Sequence, residues 1–275
     1  MCIRDRSIGD LHNWYSAAGC EIETGRTGQV SDQQDGLRYP AFYRVQDNQA
    51  AKGLWLGATN FYDPVVNKDY EYKVIHAGPR HLDIENETMP VDMTMDGKYD
   101  HPNVFVDGDP ATNLQYLDDV DNVDPSLPSD RRINNTVQTS IGVQMKRTIY
   151  AFAHPEHQNY HIQEYVFTNN GCFDADCNTS YEQTLEGFQV YLQYRYAISR
   201  EGMVYDGNWL PQSAAWGHNT MNDVIGEHPD APSINDQFYD NGEIMRALFS
   251  WQGYHSDASF DNLGGPNAPG AVSYT

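Results

Sequence analysis

Three segments of this chain alternate apolar and polar residues, and this period of two constrains the fold more than any other feature. The alternation is clearest in residues 188–198 and recurs in residues 141–151 and 160–169. Side chains two residues apart lie on the same face of a β-strand. The pattern therefore predicts long, half-buried antiparallel strands. The turn-forming segment 154–159 makes 141–151 and 160–169 a hairpin.

Shorter strand-like runs, bounded by turn formers, complete the predicted fold. They cover residues 39–45, 52–59, 70–77 and 244–251. One segment, from Asp10 to Gly19, places apolar residues at helical spacing between an Asp that can cap a helix and a Gly that can end it. We expect an all-β protein, an antiparallel β-sandwich with long loops and one short N-terminal helix.

The two ends of the chain and one long polar segment determine the predicted domain organisation. Residues 1–6 resemble a translated sequencing adapter and are left out of the fold prediction. Residues 7–270 are expected to form a single domain, with 271–275 as a truncated end. Residues 78–130 are rich in Asp, Pro and Asn with little periodicity, which predicts a long loop insertion.

The charge balance excludes two classes of partner. The 39 Asp and Glu residues outnumber the 17 Lys and Arg residues, for a net charge of −22. Such a surface repels nucleic-acid phosphates and anionic membranes. The chain also lacks an apolar run of the roughly 20 residues that a membrane-spanning helix needs. We expect no nucleic-acid partner and no membrane insertion.

The segment after Gly171 places oxygen-bearing side chains at alternate positions, as chains that wrap a calcium ion do. It is similar to the first half of an EF-hand loop, although Thr179 stands at the position of the sharp-turn glycine and Leu185 at that of the bidentate glutamate. A simpler calcium turn and a solvated hairpin turn both remain open. The candidate ligands are Asp174, Asp176, Asn178, Ser180 and Glu182.

The acidic segments also contain a candidate disulfide and a candidate second calcium site. Cys172 and Cys177 are close enough in sequence for a local disulfide, and two free thiols are the alternative. A second calcium site is conceivable at Asp119, Asp121 and Asp124, but a solvated acidic loop is the favoured interpretation.

Glu164 is the single weak catalytic candidate. The alternation puts it on the face of Ile162 and Val166, so burial would require a partner for its charge. A structural ion pair with Arg147 or Arg195 is favoured. The alternative is an acid of a glycoside-cleaving pair, which would need a second carboxylate about 5 to 9 Å away.

Histidine and tryptophan residues suggest two other kinds of contact. His154, His157 and His161 look like a metal-ligand series, but no zinc-binding framework surrounds them, and exposed turn histidines are the expected outcome. Trp209, Trp216 and His218 lie among amide residues that suit contact with a sugar ligand. Packing within a loop is the alternative for these three residues.

Several short segments carry a resemblance to a known group of proteins, and they lie at 11–16, 39–43, 53–58, 160–169 and 216–223. They resemble segments of large, uncharacterised, secreted, β-rich surface proteins of marine bacteria, similar to cargo of the type IX secretion route. The resemblance implies β-sandwich modules, sometimes fibronectin-like, and an extracellular or cell-surface location. It implies no activity.

The sequence as a whole favours a non-catalytic module of a secreted or cell-surface protein, stabilised by calcium and binding polymers or surfaces. The expected partners are extracellular polysaccharide or other surface domains of the same long protein. The alternative is a carbohydrate-active enzyme, a polysaccharide hydrolase or lyase, with its site in the loops 78–130 and 209–223. The chain contains no GxSxG, Walker, GxGxxG or Cys/His nucleophile motif.

Overall fold

The computed structural model describes sixteen strands and no helix within residues 3–6, 8–21, 37, 39–41, 49–77, 87–100, 105–110, 120–196, 220–225, 239–240, 243–244 and 247–252. In these residues the protein is all-β, and no helix is long and apolar enough to cross a membrane. The strands are β1 (Ile3–Arg6), β2 (Asn13–Ser16), β3 (Gln49–Asp63), β4 (Lys68–Ala77), β5 (Thr88–Gly97), β6 (Phe105–Val106), β7 (Asp109–Pro110), β8 (Asn122–Val123), β9 (Arg131–Thr139), β10 (Val143–Ala151), β11 (His161–Asn169), β12 (Glu186–Tyr196), β13 (Thr220–Ile225), β14 (Tyr239–Asp240), β15 (Glu243–Ile244) and β16 (Ala247–Gln252).

The chain divides into two compact units, whereas the sequence predicts one domain over 7–270. The first unit comprises Met1–Arg44 and Ala51–Tyr194, and the second comprises Val45–Ala50 and Arg195–Thr275. In the second unit, β13 pairs with β16 and β14 with β15, both antiparallel. The predicted strand 244–251 thus corresponds to β15 and β16.

A five-stranded sheet forms one side of the first unit, in the order β11-β10-β9-β5-β8. All neighbours are antiparallel except β8, which runs parallel to β5. The register between β10 and β11 runs from Val143 opposite Asn169 to Ala151 opposite His161, which confirms the predicted hairpin. The turn from β9 to β10 needs Gly142, whose φ is +75° and whose absent side chain leaves room for the Phe173 ring.

A three-stranded sheet has the order β12-β3-β4. β3 and β4 form an antiparallel hairpin, from Leu54 opposite Ala77 to Asp63 opposite Lys68. The carboxylate of Asp63 accepts the N–H groups of Val65 and Val66 in the turn and pairs with Lys73 at 3.0 Å. These contacts hold the turn between β3 and β4.

The two sheets contribute to one apolar core. Buried side chains alternate along β10 as the sequence predicts. On β12 the predicted half-buried face is not seen, since Val190 is 41% and Leu192 40% exposed. Burial of each large apolar side chain is worth about 1.5–3 kcal/mol. The core consists of Cys20, Leu54, Leu56, Ala58, Phe61, Ile75, Ala77, Val137, Ile141, Val143, Met145 and Phe173.

The predicted N-terminal helix is wrong. Asn13–Ser16 is the strand β2, which pairs with β1 in the segment interpreted as an adapter. The chain then turns sharply, with the amide of Ser16 donating to the carbonyl of Cys20 at 3.0 Å. A helix would bond these groups in the opposite sense, from the amide of Cys20 to the carbonyl of Ser16. Contacts with the rest of the fold outweigh the helical spacing of the apolar residues.

The prediction of an irregular insertion over 78–130 is also corrected in part. Within it, β5 lies between β9 and β8 in the five-stranded sheet and buries Met93 and Met95. On its other face, Asp96 accepts hydrogen bonds from Arg132 at 2.8 Å and from Asn122 and Asn134. Asp96 fits within a strand because it is paired across the sheet rather than exposed.

The buried side chain of Arg147 explains the position of the N-terminal segment. Its guanidinium donates to the carbonyls of Gly19 (2.9 Å) and Ser16 (3.0 Å) and to Oδ1 of Asn135 (3.0 Å). Its carbon Cζ also lies 5.2 Å from the ring centre of Tyr15. One cation thus joins the N-terminal turn to β9 and β10.

We expect Arg147→Met to lower the free energy of unfolding by about 3 kcal/mol, because the accepting oxygens would lose a charged donor in the core. Lys146→Met is the matched control, since Lys146 is the exposed neighbour on β10. It should change stability by less than about 0.5 kcal/mol. Urea unfolding measures both variants, and equal losses would contradict this role for Arg147.

Candidate functional site

The loop predicted to bind calcium is a small disulfide-closed hairpin. Cys172 and Cys177 form a disulfide, with their Cα atoms 4.8 Å apart. The amide of Phe173 donates to the carbonyl of Thr179 at 2.9 Å, and that of Tyr181 to the carbonyl of Gly171 at 2.8 Å. The loop is therefore held by one covalent bond and by backbone pairing on both sides.

The carboxylate of Asp174 organises the inside of this loop. It accepts the backbone N–H groups of Asp176 (3.1 Å), Asn178 (2.9 Å) and Thr179 (2.6 Å). The hydrogen bonds from Asn178 and Thr179 hold the pKa of Asp174 below its usual value, because they favour the charged form. This carboxylate therefore performs a structural task within the loop.

The other predicted ligands lie on the exposed side of the same loop. Asp176, Asn178, Ser180 and Glu182 are all exposed. Within the described part of the chain, the acidic side chains of this loop do not form a group of three with closely spaced ligand atoms. Calcium binding here stays a prediction.

The second predicted acidic group has local partners. Asp121 accepts the N–H of Met95 at 2.7 Å and so fastens this segment to β5. Asp124 accepts the amide and the hydroxyl of Ser126, at 3.0 and 2.6 Å, and these bonds lower the pKa of its carboxyl. Asp119 lies outside the described residues.

Glu164 does not occupy the buried position that a catalytic acid would need. It does share a face with Ile162 and Val166, but this face is exposed, with Ile162 and Val166 each about half accessible. Arg147 points into the core on the neighbouring strand, opposite Tyr165. The expected pair between Glu164 and Arg147 is therefore wrong, because adjacent register positions place the two side chains on opposite faces.

Trp209, Trp216 and His218 lie outside the described residues. The side chain of Arg195 is not described either. The predicted sugar contacts at these positions stay predictions.

An exposed aromatic face on the three-stranded sheet was missed by the sequence analysis. Trp55 on β3 lies opposite His76 on β4, with ring centroids 5.5 Å apart. Tyr191 on β12 meets Trp55 edge-on at 6.4 Å. Val74 and Tyr72 continue this face along β4, and Tyr72 is 69% exposed. We call Trp55, Tyr72, Val74, His76 and Tyr191 the aromatic face.

A glycine lies in the middle of this face. Gly57 lies between Trp55 and Thr59 on the outer side of β3, opposite Val74. A Cβ at Gly57 would lie 3.6 Å from Val74. The missing side chain leaves Val74 52% exposed between the rings of Trp55 and Tyr72, which lie about 14 Å apart along the strand.

A polar network was also missed, at the junction of the N-terminal turn and β11. Glu21 is buried, and it accepts hydrogen bonds from Asn13 and Gln163, both at 2.7 Å. The Nε2 atom of His161 lies 3.3 Å from the hydroxyl of Tyr15. The alternation that places odd-numbered residues of β11 inward could have indicated a polar inner edge for this strand.

A comparison of this chain with protein-family models, with curated proteins and with solved structures found no match.

The lowered pKa of Asp174 can be measured directly. The backbone amides of Asn178 and Thr179 should titrate by NMR with a midpoint below 3.8, the usual value for this carboxyl. The carboxylate holds the loop fully above that usual value and releases it as the pH falls through the lower, folded-state pKa.

Asp174→Asn should abolish this titration, whereas the control Asp176→Asn, at an exposed position, should retain it. A midpoint at or above 3.8 in the unmodified protein would contradict the assignment.

Proposed function

We propose that this chain is a non-catalytic, polymer-binding module of a secreted or cell-surface protein. Its first unit is a β-sandwich, and the aromatic face is its binding surface for a neutral polysaccharide. The observation that carries the proposal is that face: Trp55, Tyr72 and Tyr191 are exposed on paired strands of one rigid sheet. The sandwich is supported by the core that the three-stranded and five-stranded sheets share.

Exposed aromatic rings on a sheet suit the flat apolar faces of sugar rings. Large aromatic side chains contribute contact area with little loss of conformational freedom. The separation of about 14 Å between Trp55 and Tyr72 along the strands suits a polymer more than a single sugar. Because the sheet holds both rings in place, binding would require little reordering of the protein.

The net charge restricts the class of polymer. A chain with 39 acidic and 17 basic residues repels sulfated or carboxylated polysaccharides at moderate ionic strength. The favoured ligands are neutral polymers such as cellulose or chitin.

The location outside the cell is supported by the disulfide between Cys172 and Cys177. Disulfides persist in oxidising compartments and are rare in the cytosol. This agrees with the secreted, surface-exposed proteins that the sequence resembles. The calcium-stabilised loop belongs to the same proposal, because extracellular modules bind calcium with weak sites.

The aromatic face is tested by binding of the full chain to insoluble cellulose and chitin in a pull-down assay. Trp55→Ala and Tyr191→Ala should each weaken binding about tenfold, equal to about 1.4 kcal/mol, which is close to the worth of one aromatic contact. Tyr99→Ala is the matched control, since Tyr99 is 63% exposed outside the aromatic face.

Retention that is unchanged in both face variants would overturn the proposed surface. Release of soluble sugars by the unmodified chain, lost in Glu164→Gln, would instead favour the enzyme interpretation.

The calcium site is tested by thermal melts in calcium and then in chelator. At 100-fold excess over the dissociation constant, calcium should raise the melting temperature by about 5 °C. Asp176→Ala should remove this rise without lowering the melting temperature in chelator, because Asp176 is exposed.

Asp174→Ala should remove the calcium effect and also lower the melting temperature in chelator, since the loop amides would lose their acceptor. No calcium dependence of the unmodified chain would contradict the site.

A further inference from the structure

Three potential metal ligands meet at the turn between β10 and β11. His154, Glu156 and His157 each offer one ligand atom, and these atoms lie within 4.8 Å of one another. Elsewhere in the part of the chain that the structure describes, no other trio of His, Cys, Asp or Glu side chains forms such a group. His161 is not a member, because its Nε2 atom faces Tyr15 and Gln163.

The backbone of the turn brings these side chains together. The amide of His157 donates to the carbonyl of His154 at 2.8 Å, which closes the turn. As a result the two imidazole rings lie 5.6 Å apart between centroids. Glu156 stands between them in sequence, with all three side chains on the exposed side of the turn.

The residues around His157 hold its ring in place. Phe152 and Tyr160 pack against it, with centroids 5.9 and 5.8 Å away. The Nδ1 atom of His157 lies 2.7 Å from the hydroxyl of Tyr160. A hydrogen bond at one ring nitrogen orients the ring and leaves the other nitrogen for a metal, as is usual around metal-bound histidines.

The turn is also fastened to other segments. The amide of Asp10 donates to the carbonyl of Gln158 at 3.0 Å, and Nε2 of Gln158 donates to Asp10 at 2.9 Å. The amide of Ala153 donates to Asp130 at 2.8 Å. A ligand set on an anchored turn loses less conformational entropy on binding than one on a free loop.

We propose that His154, Glu156 and His157 bind one divalent transition-metal ion of the Zn²⁺, Ni²⁺ or Cu²⁺ class. Two imidazoles and a carboxylate suit these ions, whereas calcium prefers oxygen ligands alone. The site is separate from the loop at Asp174 and does not depend on the polymer-binding function. Water would complete the coordination, as in sites with three protein ligands.

Small side-chain rotations would bring the three ligand atoms to the distances that zinc needs. Ligand atoms at about 2.0–2.1 Å from a tetrahedral zinc ion lie about 3.4 Å from one another. The three donor atoms here lie within 4.8 Å of one another, so zinc binding requires them to move slightly closer together. His154 and Glu156 are exposed and can rotate toward the His157 ring, which Phe152 and Tyr160 hold in place. Nδ1 of His154 accepts the amide of Glu156 at 3.2 Å, and binding through that nitrogen would cost this one hydrogen bond.

The test is a titration of the full chain, without a histidine tag, with Zn²⁺ alone by isothermal calorimetry and by NMR of the imidazoles. We expect one ion per chain and zinc-induced shifts at His154 and His157. His154→Ala, His157→Ala and Glu156→Gln should each weaken binding at least about tenfold. Glu156→Gln should melt in chelator at the temperature of the unmodified chain, because it replaces one exposed polar side chain by another of the same size. His157→Ala also loses the contacts of its ring with Phe152 and Tyr160, so its affinity is measured well below its melting temperature.

His76→Ala is the control, since His76 has a carboxylate neighbour, Glu87, at 2.8 Å and lies outside the trio. It should leave zinc affinity unchanged. Absence of zinc binding, or binding that none of the three variants weakens, would overturn the proposal. Zinc shifts confined to His76, His161 or the Asp174 loop would overturn it equally.

Discussion

The guanidinium of Arg147 is the interaction on which the arrangement of the first unit depends. A cation in an apolar core must be met by acceptors, and here these come from the carbonyls of Ser16 and Gly19 and from Asn135. The carbonyls of Ser16 and Gly19 reach this cation from a turn, in which the amide of Ser16 donates to the carbonyl of Cys20, a bond that a helix does not contain. The same requirement places Tyr15 and Cys20 in the core beside β10.

Much of the fold follows from local sequence pattern. The alternation in 141–151 and 160–169 predicts the hairpin of β10 and β11, and the two strands pair as expected. The helix over 10–19 is wrong because the turn that replaces it is held by Arg147, more than 100 positions away, and no local pattern records that contact. The strand β5 was missed for a related reason: Asp96 looks like a loop residue until Arg132, Asn122 and Asn134 are beside it.

The candidate sites were also predictable only where their residues are neighbours in sequence. The loop at Asp174 was recognisable because its oxygen-bearing residues and its two cysteines are neighbours in sequence. For Glu164 the alternation identified the right set of residues but not which set faces water, because a half-buried strand has the same period in either orientation. The aromatic face combines residues from β3, β4 and β12, and only the pairing of these strands places Trp55 beside His76 and Tyr191.

The burial of Cys20 has a consequence for the chemistry of folding. Burial raises the pKa of its thiol, and Sγ lies 2.9 Å from the hydroxyl of Ser16 within the core. Thiol–disulfide exchange needs an accessible thiolate. Once the N-terminal turn has docked, Cys20 can no longer attack the bond between Cys172 and Cys177. Docking of the turn therefore removes the Cys20 thiol from exchange with this disulfide.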